Sequence, residues 1–140
     1  MKSKPSGFLL ALVLCLTAQA GAGNPDSQEA WSGTTWSGTF QSQHSGVSPF
    51  TMTVQITADA AGNLIGTASS AADCFTDATL QVTLKGATVV LAGSDLEGNN
   101  ITFRGALDGT RTILSLTYVL NSSASGRCES DNGSGTLGKR

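Results

Sequence analysis

Beyond residue 30, apolar and polar residues alternate along most of the chain. Phe50, Met52, Val54 and Ile56 fall on one face of an extended segment, with Thr51, Thr53, Gln55 and Thr57 on the other. Leu80, Val82 and Leu84 alternate with Thr79, Gln81, Thr83 and Lys85, and Ile101, Phe103, Gly105 and Leu107 with Thr102, Arg104 and Ala106. Leu114, Leu116, Tyr118 and Leu120 alternate with Ser115, Thr117 and Val119. Successive strand side chains point to opposite faces, so period two with threonine on the wet side marks antiparallel strands buried on one face. No window outside the first 20 residues offers a comparable helical period. The pattern predicts an all-β domain.

Clusters of Gly, Asn and Asp divide the chain into about eight strands, near residues 34–42, 49–57, 63–70, 78–85, 88–93, 100–107, 112–120 and 133–138. The turn signals are Asp59 to Asn63, Lys85-Gly86, Asp95 to Asn100 and Asp108-Gly109-Thr110. Pro49 stands at a strand start, where its missing N–H costs least. Short loops between successive strands favour an antiparallel up-and-down meander. Closing it into a small barrel removes the exposed edges. A two-sheet β-sandwich is the alternative.

The N-terminus changes the expected length of this domain. Lys2 and Lys4 precede an apolar run, Phe8 to Leu16, which leads to Ala18-Gln19-Ala20. A positive start, a short apolar core and an A-x-A site describe a secretory signal peptide. The run is too short to span a bilayer, which takes roughly 20 apolar residues. The expected organisation is a signal peptide over residues 1–20, a flexible leader over 21–30 and one β-barrel domain over 31–140. Cleavage after Ala20 leaves 120 residues, and loss of Lys2 and Lys4 moves the formal charge from −2 to −4. With six basic residues against ten acidic ones, no basic patch is expected and nucleic acid is a poor partner. Cys15 follows Leu14 in mid-run, which does not fit a lipid-anchored cysteine.

Export also changes the meaning of the cysteines. Cys74 and Cys128 remain after cleavage, and an even count in an exported chain reads as a disulfide. In a strict meander the connections after the third and seventh strands lie at one end of the barrel, so this pair fits across one mouth. Closing a loop of about 54 residues is worth roughly 4 kcal/mol on the chain-entropy model.

Chemistry is less legible. His44 is the single histidine, in a Ser-Gln-His-Ser-Gly loop, and reads as a surface residue because no nucleophile elbow accompanies it. Asp59, Asp95, Asp108 and Asp131 sit in turns, where capping the local backbone explains them better than calcium does. Asp73, Asp77, Glu129 and Asp131 flank the two cysteines and read as an acidic rim. No catalytic residue, cofactor or metal site is expected. Three Asn-x-Ser/Thr sequons, at Asn100, Asn121 and Asn132, are matches that a Ser/Thr-rich chain produces by chance. Two internal echoes stand out. Trp31-Ser32-Gly33-Thr34 recurs as Trp36-Ser37-Gly38-Thr39, and Asp59-x-x-Gly62-Asn63 as Asp95-x-x-Gly98-Asn99. Trp31 and Trp36 fall on opposite faces if their strand is continuous.

The aromatic residues carry the binding expectation. Trp31, Trp36, Phe40, Phe75, Phe103 and Tyr118 are the candidate ligand-binding set, since rings at a barrel mouth stack on a sugar or a flat hydrophobic molecule. Small inward positions, Gly66, Ala68 and Gly105, fit either internal space or close approach of the walls.

With Gly33-Thr34-Thr35-Trp36 opening an eight-strand meander, the chain resembles the calycin architecture of lipocalins and avidins. The glycine stands three residues before the tryptophan rather than two, and no late tryptophan-rich pocket follows, so the resemblance carries no biotin ligand. The chain is also similar to small exported bacterial proteins with a Trp-Ser-Gly-Thr start, a Gly-Asn-Leu-Ile-Gly-Thr hairpin and a closing Cys-Glu-Ser-Asp-Asn-Gly-Ser-Gly-Thr-Leu stretch. That likeness, over about residues 31–137, implies a periplasmic or extracellular location. The expectation is a secreted, non-catalytic binding module for a small hydrophobic molecule or a glycan. The alternative is a structural or protein-interaction module of the cell envelope, motivated by outward-facing Ile65, Val90, Ile113 and Val119.

Overall fold

The computed structural model describes residues 27–72, 75–124 and 128–140. The expected signal peptide and most of the leader therefore lie outside the described residues, as do Asp73 and Cys74. A single helical turn, α1 (Gln28–Trp31), precedes eight strands: β1 (Thr34–Ser42), β2 (Phe50–Ala58), β3 (Leu64–Ser70), β4 (Ala78–Lys85), β5 (Thr88–Asp95), β6 (Asn100–Leu107), β7 (Ile113–Asn121) and β8 (Asp131–Lys139). Each pairs antiparallel with the next, and β8 returns to β1, closing the barrel. The closure rules out the sandwich, because no sheet edge is left open among these strands.

The alternation seen in the sequence maps onto the wall of the barrel. Phe40, Met52, Val54, Ile56, Leu64, Leu80, Val89, Leu91, Ile101, Phe103, Leu114 and Leu137 are fully buried inside. Their threonine, serine and glutamine neighbours face outward. The interior is filled, as eight strands permit. A Cβ on Gly66 would stand 3.2 Å from Val54 Cγ1, so that position is packed, and one on Gly105 would collide with the Ser115 carbonyl 1.8 Å away. Gly38 and Gly93 face the same obstruction from Thr136 and Thr79. These inward glycines let neighbouring backbones come close where the sheet bends into a barrel, rather than hollowing it.

The two ends differ. At the base lie the β2–β3, β4–β5 and β6–β7 turns. At the mouth lie the short β5–β6 turn and the three longest connections, β1–β2, β3–β4 and β7–β8. Trp31 closes the base. Its ring stacks on Trp36 with centroids 5.2 Å apart, and both are buried. The continuous strand that would have separated the two faces does not occur. The α1 turn and a bend at Gly33 (φ 79°) interrupt it and fold Trp31 back over the barrel end. Thr34 Oγ1 donates to the Trp31 carbonyl at 2.6 Å and accepts from Trp36 Nε1 at 2.9 Å, locking the pair. Among the described residues, secondary structure begins at Gln28, three residues before the expected domain start.

Candidate functional site

The site at the mouth follows from strand parity carried one step beyond the apolar core. On β1, Trp36, Gly38 and Phe40 point inward, and Ser42 continues that series as a buried hydroxyl. On β7, Leu114, Leu116, Tyr118 and Leu120 point inward. On β8, Asp131 shares the inward parity of Gly133, Gly135 and Leu137. Register brings these ends together, because Ser42 pairs with Gly133, Tyr118 with Gly133 and Leu120 with Asp131. Gly133 is required where it stands, since a Cβ there would lie 2.6 Å from the Tyr118 ring.

The three side chains converge on one carboxylate. Ser42 Oγ donates to Asp131 Oδ1 at 2.6 Å, and the Tyr118 hydroxyl donates to Oδ2 at 2.6 Å. His44 Nδ1 lies 3.1 Å from Oδ1, with its side chain 59% exposed against 18% for Asp131. The Ser42 hydroxyl in turn accepts from the His44 amide at 2.9 Å, which fixes the start of the β1–β2 loop. Gln41 Nε2 donates to the Val47 carbonyl, and Asn132 Nδ2 to Gln43 Oε1, tying both sides of that loop to the barrel wall.

These contacts set the charges. Burial opposes ionisation of Asp131, but the hydrogen bonds from Ser42 and Tyr118, the Asn132 amide and the proximity of His44 outweigh it and hold the carboxyl below its usual range. Burial, the hydrogen bond to Asp131 and the negative charge of that group push the Tyr118 phenol well above its ordinary value. Asp131 therefore stays ionised and Tyr118 neutral across the physiological range. Ser42 and His44 both address the same carboxylate oxygen, so the serine proton points at Asp131 and not at the imidazole. The arrangement orients side chains around a fixed negative charge.

Above this cluster opens a cleft of about 740 Å³, lined by Phe50, Phe75, Ile101, Tyr118 and Leu120 on its apolar side and by His44, Glu129 and Asp131 on its polar side. The volume falls within the roughly 300–1,000 Å³ of small-molecule sites. Beneath it the rings are locked together. Phe50 stacks on Phe40 at 5.7 Å and meets Tyr118 edge-on at 5.7 Å, while Phe103 lies edge-on to Phe40 at 5.4 Å and to Phe75 at 6.3 Å. A shallower depression of about 410 Å³ on the outer wall, over Gly105 and Gly135, has no aromatic lining.

The candidate set is thereby divided. Phe75 and Tyr118 line the cleft, Phe40 and Phe103 form the packed layer below it, and Trp31 and Trp36 lie at the opposite end. Phe50, Ser42 and Asp131 belong to the site and were not in that set. Strand parity was the available signal. An eighth strand begun at Asp131 instead of residue 133 places that carboxylate inside the mouth. Of the expected acidic rim, Asp77 and Glu129 are exposed while Asp131 is drawn inward. Asp59, Asp95 and Asp108 each cap their own turn with backbone amide contacts. Cys128 is buried in the β7–β8 connection, and its expected partner lies outside the described residues.

The fold has a structural counterpart. The solved structure of EF1p2_mFAP2b bound to DFHBI superposes with a TM-score of 0.59, covering 84% of this chain and 100% of that one at 11% identity. At that identity the likeness is one of fold. No family model and no curated protein matches the sequence.

Proposed function

We propose that the protein is an exported, non-catalytic binding module that takes a small, flat, largely apolar molecule at the barrel mouth. The observation that carries this reading is the cleft itself, where Phe50 stays half-exposed above the buried rings of Phe75 and Tyr118 at one end of an otherwise filled barrel. Burying apolar ligand surface there gains about 25 cal/mol per Å² before the costs of immobilisation. A barrel of the same fold is bound to DFHBI, which supports ligand binding by this architecture. A glycan fits less well, because Asp131, Ser42 and Tyr118 already satisfy one another and leave few groups to meet a ring of hydroxyls. Export rests on the N-terminal pattern, and the Cys74–Cys128 disulfide that it favours would join the β3–β4 and β7–β8 connections on either side of the cleft.

The envelope-partner alternative rested on Ile65, Val90, Ile113 and Val119. These are scattered over β3, β5 and the two ends of β7 rather than joined into a patch, so they give that alternative no added weight.

Titration with the neutral fluorophore N-phenyl-1-naphthylamine tests the proposal. Saturable fluorescence enhancement is expected, weakened about tenfold by Phe50→Ala, equivalent to roughly 1.4 kcal/mol. No saturable binding, or equal binding by the variant, overturns it. Native mass spectrometry of protein recovered from its exported fraction adds the identity of any molecule retained from the cell.

A further inference from the structure

We infer that the mouth cleft selects planar organic cations, such as aromatic amines or N-alkylated heteroaromatics, over neutral molecules of the same shape. The inference rests on the binding-module reading and adds the charge of the ligand to it. Its basis is the pairing of two features in one cleft. Phe50 offers a half-exposed ring face, backed by the buried rings of Phe75 and Tyr118, and Glu129 and Asp131 supply two carboxylates at its edge. His44 is the only basic side chain among the described lining residues.

The chemistry follows from the geometry. A delocalised cation stacked on an aromatic face gains from the ring quadrupole, and the gain grows as water is excluded. The Asp131 carboxylate is held in place by Ser42 and Tyr118. A charge fixed in this way needs no reorganisation when a ligand of opposite sign arrives. Its partial burial reduces solvent screening relative to a surface carboxylate. Glu129, exposed on the rim, adds long-range attraction that salt removes. An anionic ligand would meet the same two carboxylates as a barrier, so the cleft discriminates by sign as well as by shape.

A matched pair of tricyclic fluorophores tests this, N-methylacridinium as the cation and N-methylacridone as the neutral analogue. Binding is measured at pH 7 in low and in 0.5 M salt. The expected result is cation binding about tenfold tighter than that of the neutral analogue, with the advantage reduced by salt. In Asp131→Asn the preference should fall below about threefold. The effect is read as the ratio of the two probes' affinities in that variant, so a general loss of cleft shape, which weakens both alike, does not imitate it. Glu129→Gln, a change at an exposed residue, should lower cation affinity about two- to threefold and remove part of the salt dependence. Equal binding of both probes by the unaltered protein overturns charge selection and leaves the binding module standing. Tighter binding of the cation with Asp131→Asn and Glu129→Gln both unchanged also overturns it, by moving the selection elsewhere. Failure of both probes and of N-phenyl-1-naphthylamine overturns the binding module itself, and this inference with it.

Discussion

The two ends of the barrel start from the same materials and finish differently. Each has buried aromatic residues, and each carries one copy of the same five-residue turn, Asp59 to Asn63 at the base and Asp95 to Asn99 at the mouth. The turns make the same hydrogen bonds. In both, the aspartate Oδ1 accepts from two backbone amides and Oδ2 from the asparagine side chain. Yet Asp59 and Asn63 stand in water, whereas Asn99 is fully buried. The mouth copy lies against the β7–β8 connection. Ser123 donates its amide to Asn99 Oδ1 and its hydroxyl to the Glu97 carbonyl, each at 2.9 Å. At the base, short turns and a stacked Trp31–Trp36 pair seal the interior. At the mouth, longer connections stand around the rings and leave a cleft. The difference teaches that connection length, more than aromatic content, decides which end is open.

Perturbations at either end separate sealing from binding. The largest effect is expected from Trp36→Ala, which removes the base plug and should cost about 3–5 kcal/mol in denaturant unfolding. In the folded fraction it should leave mouth binding unaltered, so weakened fluorophore affinity there would break the division of roles. Next comes reduction of the proposed Cys74–Cys128 disulfide, expected to cost up to roughly 4 kcal/mol. Intact mass should fall by two hydrogens on oxidation, and an oxidised mass equal to the reduced one would remove the disulfide from the account. The paired turns make a finer test. Asn99→Ala removes the hydrogen bonds that Asn99 makes to Asp95 Oδ2 and to the Ser123 amide and should cost about 1–3 kcal/mol, against less than about 1 for the exposed Asn63→Ala. Equal losses would show that burial adds nothing to the turn.

The smallest effects are those of pH. Asp131 at the mouth and Asp59 and Asp108 at the base have lowered folded values, Asp108 to about 2 through its bonds from Thr110 and Ile113. A depressed carboxyl contributes stability above its unfolded value near 4, and that contribution is lost as pH falls through the folded one. Stability should therefore decline between about pH 4 and 2, and Asp131→Asn should flatten part of that decline. Tyr118 shifts upward, so its neutral form contributes stability below about pH 10 that is lost as pH rises above it. It is the single tyrosine, so phenolate absorbance reports this residue alone. Ionisation coinciding with alkaline unfolding is expected, and a free titration near pH 10 would detach Tyr118 from Asp131.

Much of the barrel was legible because its signal is local. Period two survives in every strand, and turn chemistry marks the boundaries to within two residues. The site was less so. Ser42 and Asp131 are 89 residues apart, and in sequence one looks like an ordinary polar strand end and the other like a turn aspartate. They become partners only when β8 closes on β1. Phe50 read as core because its neighbours did, although its place at the strand start leaves it half-exposed in the cleft wall.

The repeated Trp-Ser-Gly-Thr marks the limit of local reading. The first copy ends a helical turn, bends at Gly33 and enters β1, while the second lies within β1 with Gly38 against the Thr136 carbonyl. The same four residues take two structures because tertiary neighbours differ. By itself the sequence determined the strand pattern, the turns and the inward face, since these depend on side-chain alternation and backbone preference within a few residues. Only the tertiary structure decided which end was sealed, that Phe50 was left half-exposed and which carboxylate was held by Ser42 and Tyr118. Those outcomes depend on register and loop packing between segments far apart in the chain, where the energy of contact outweighs local preference.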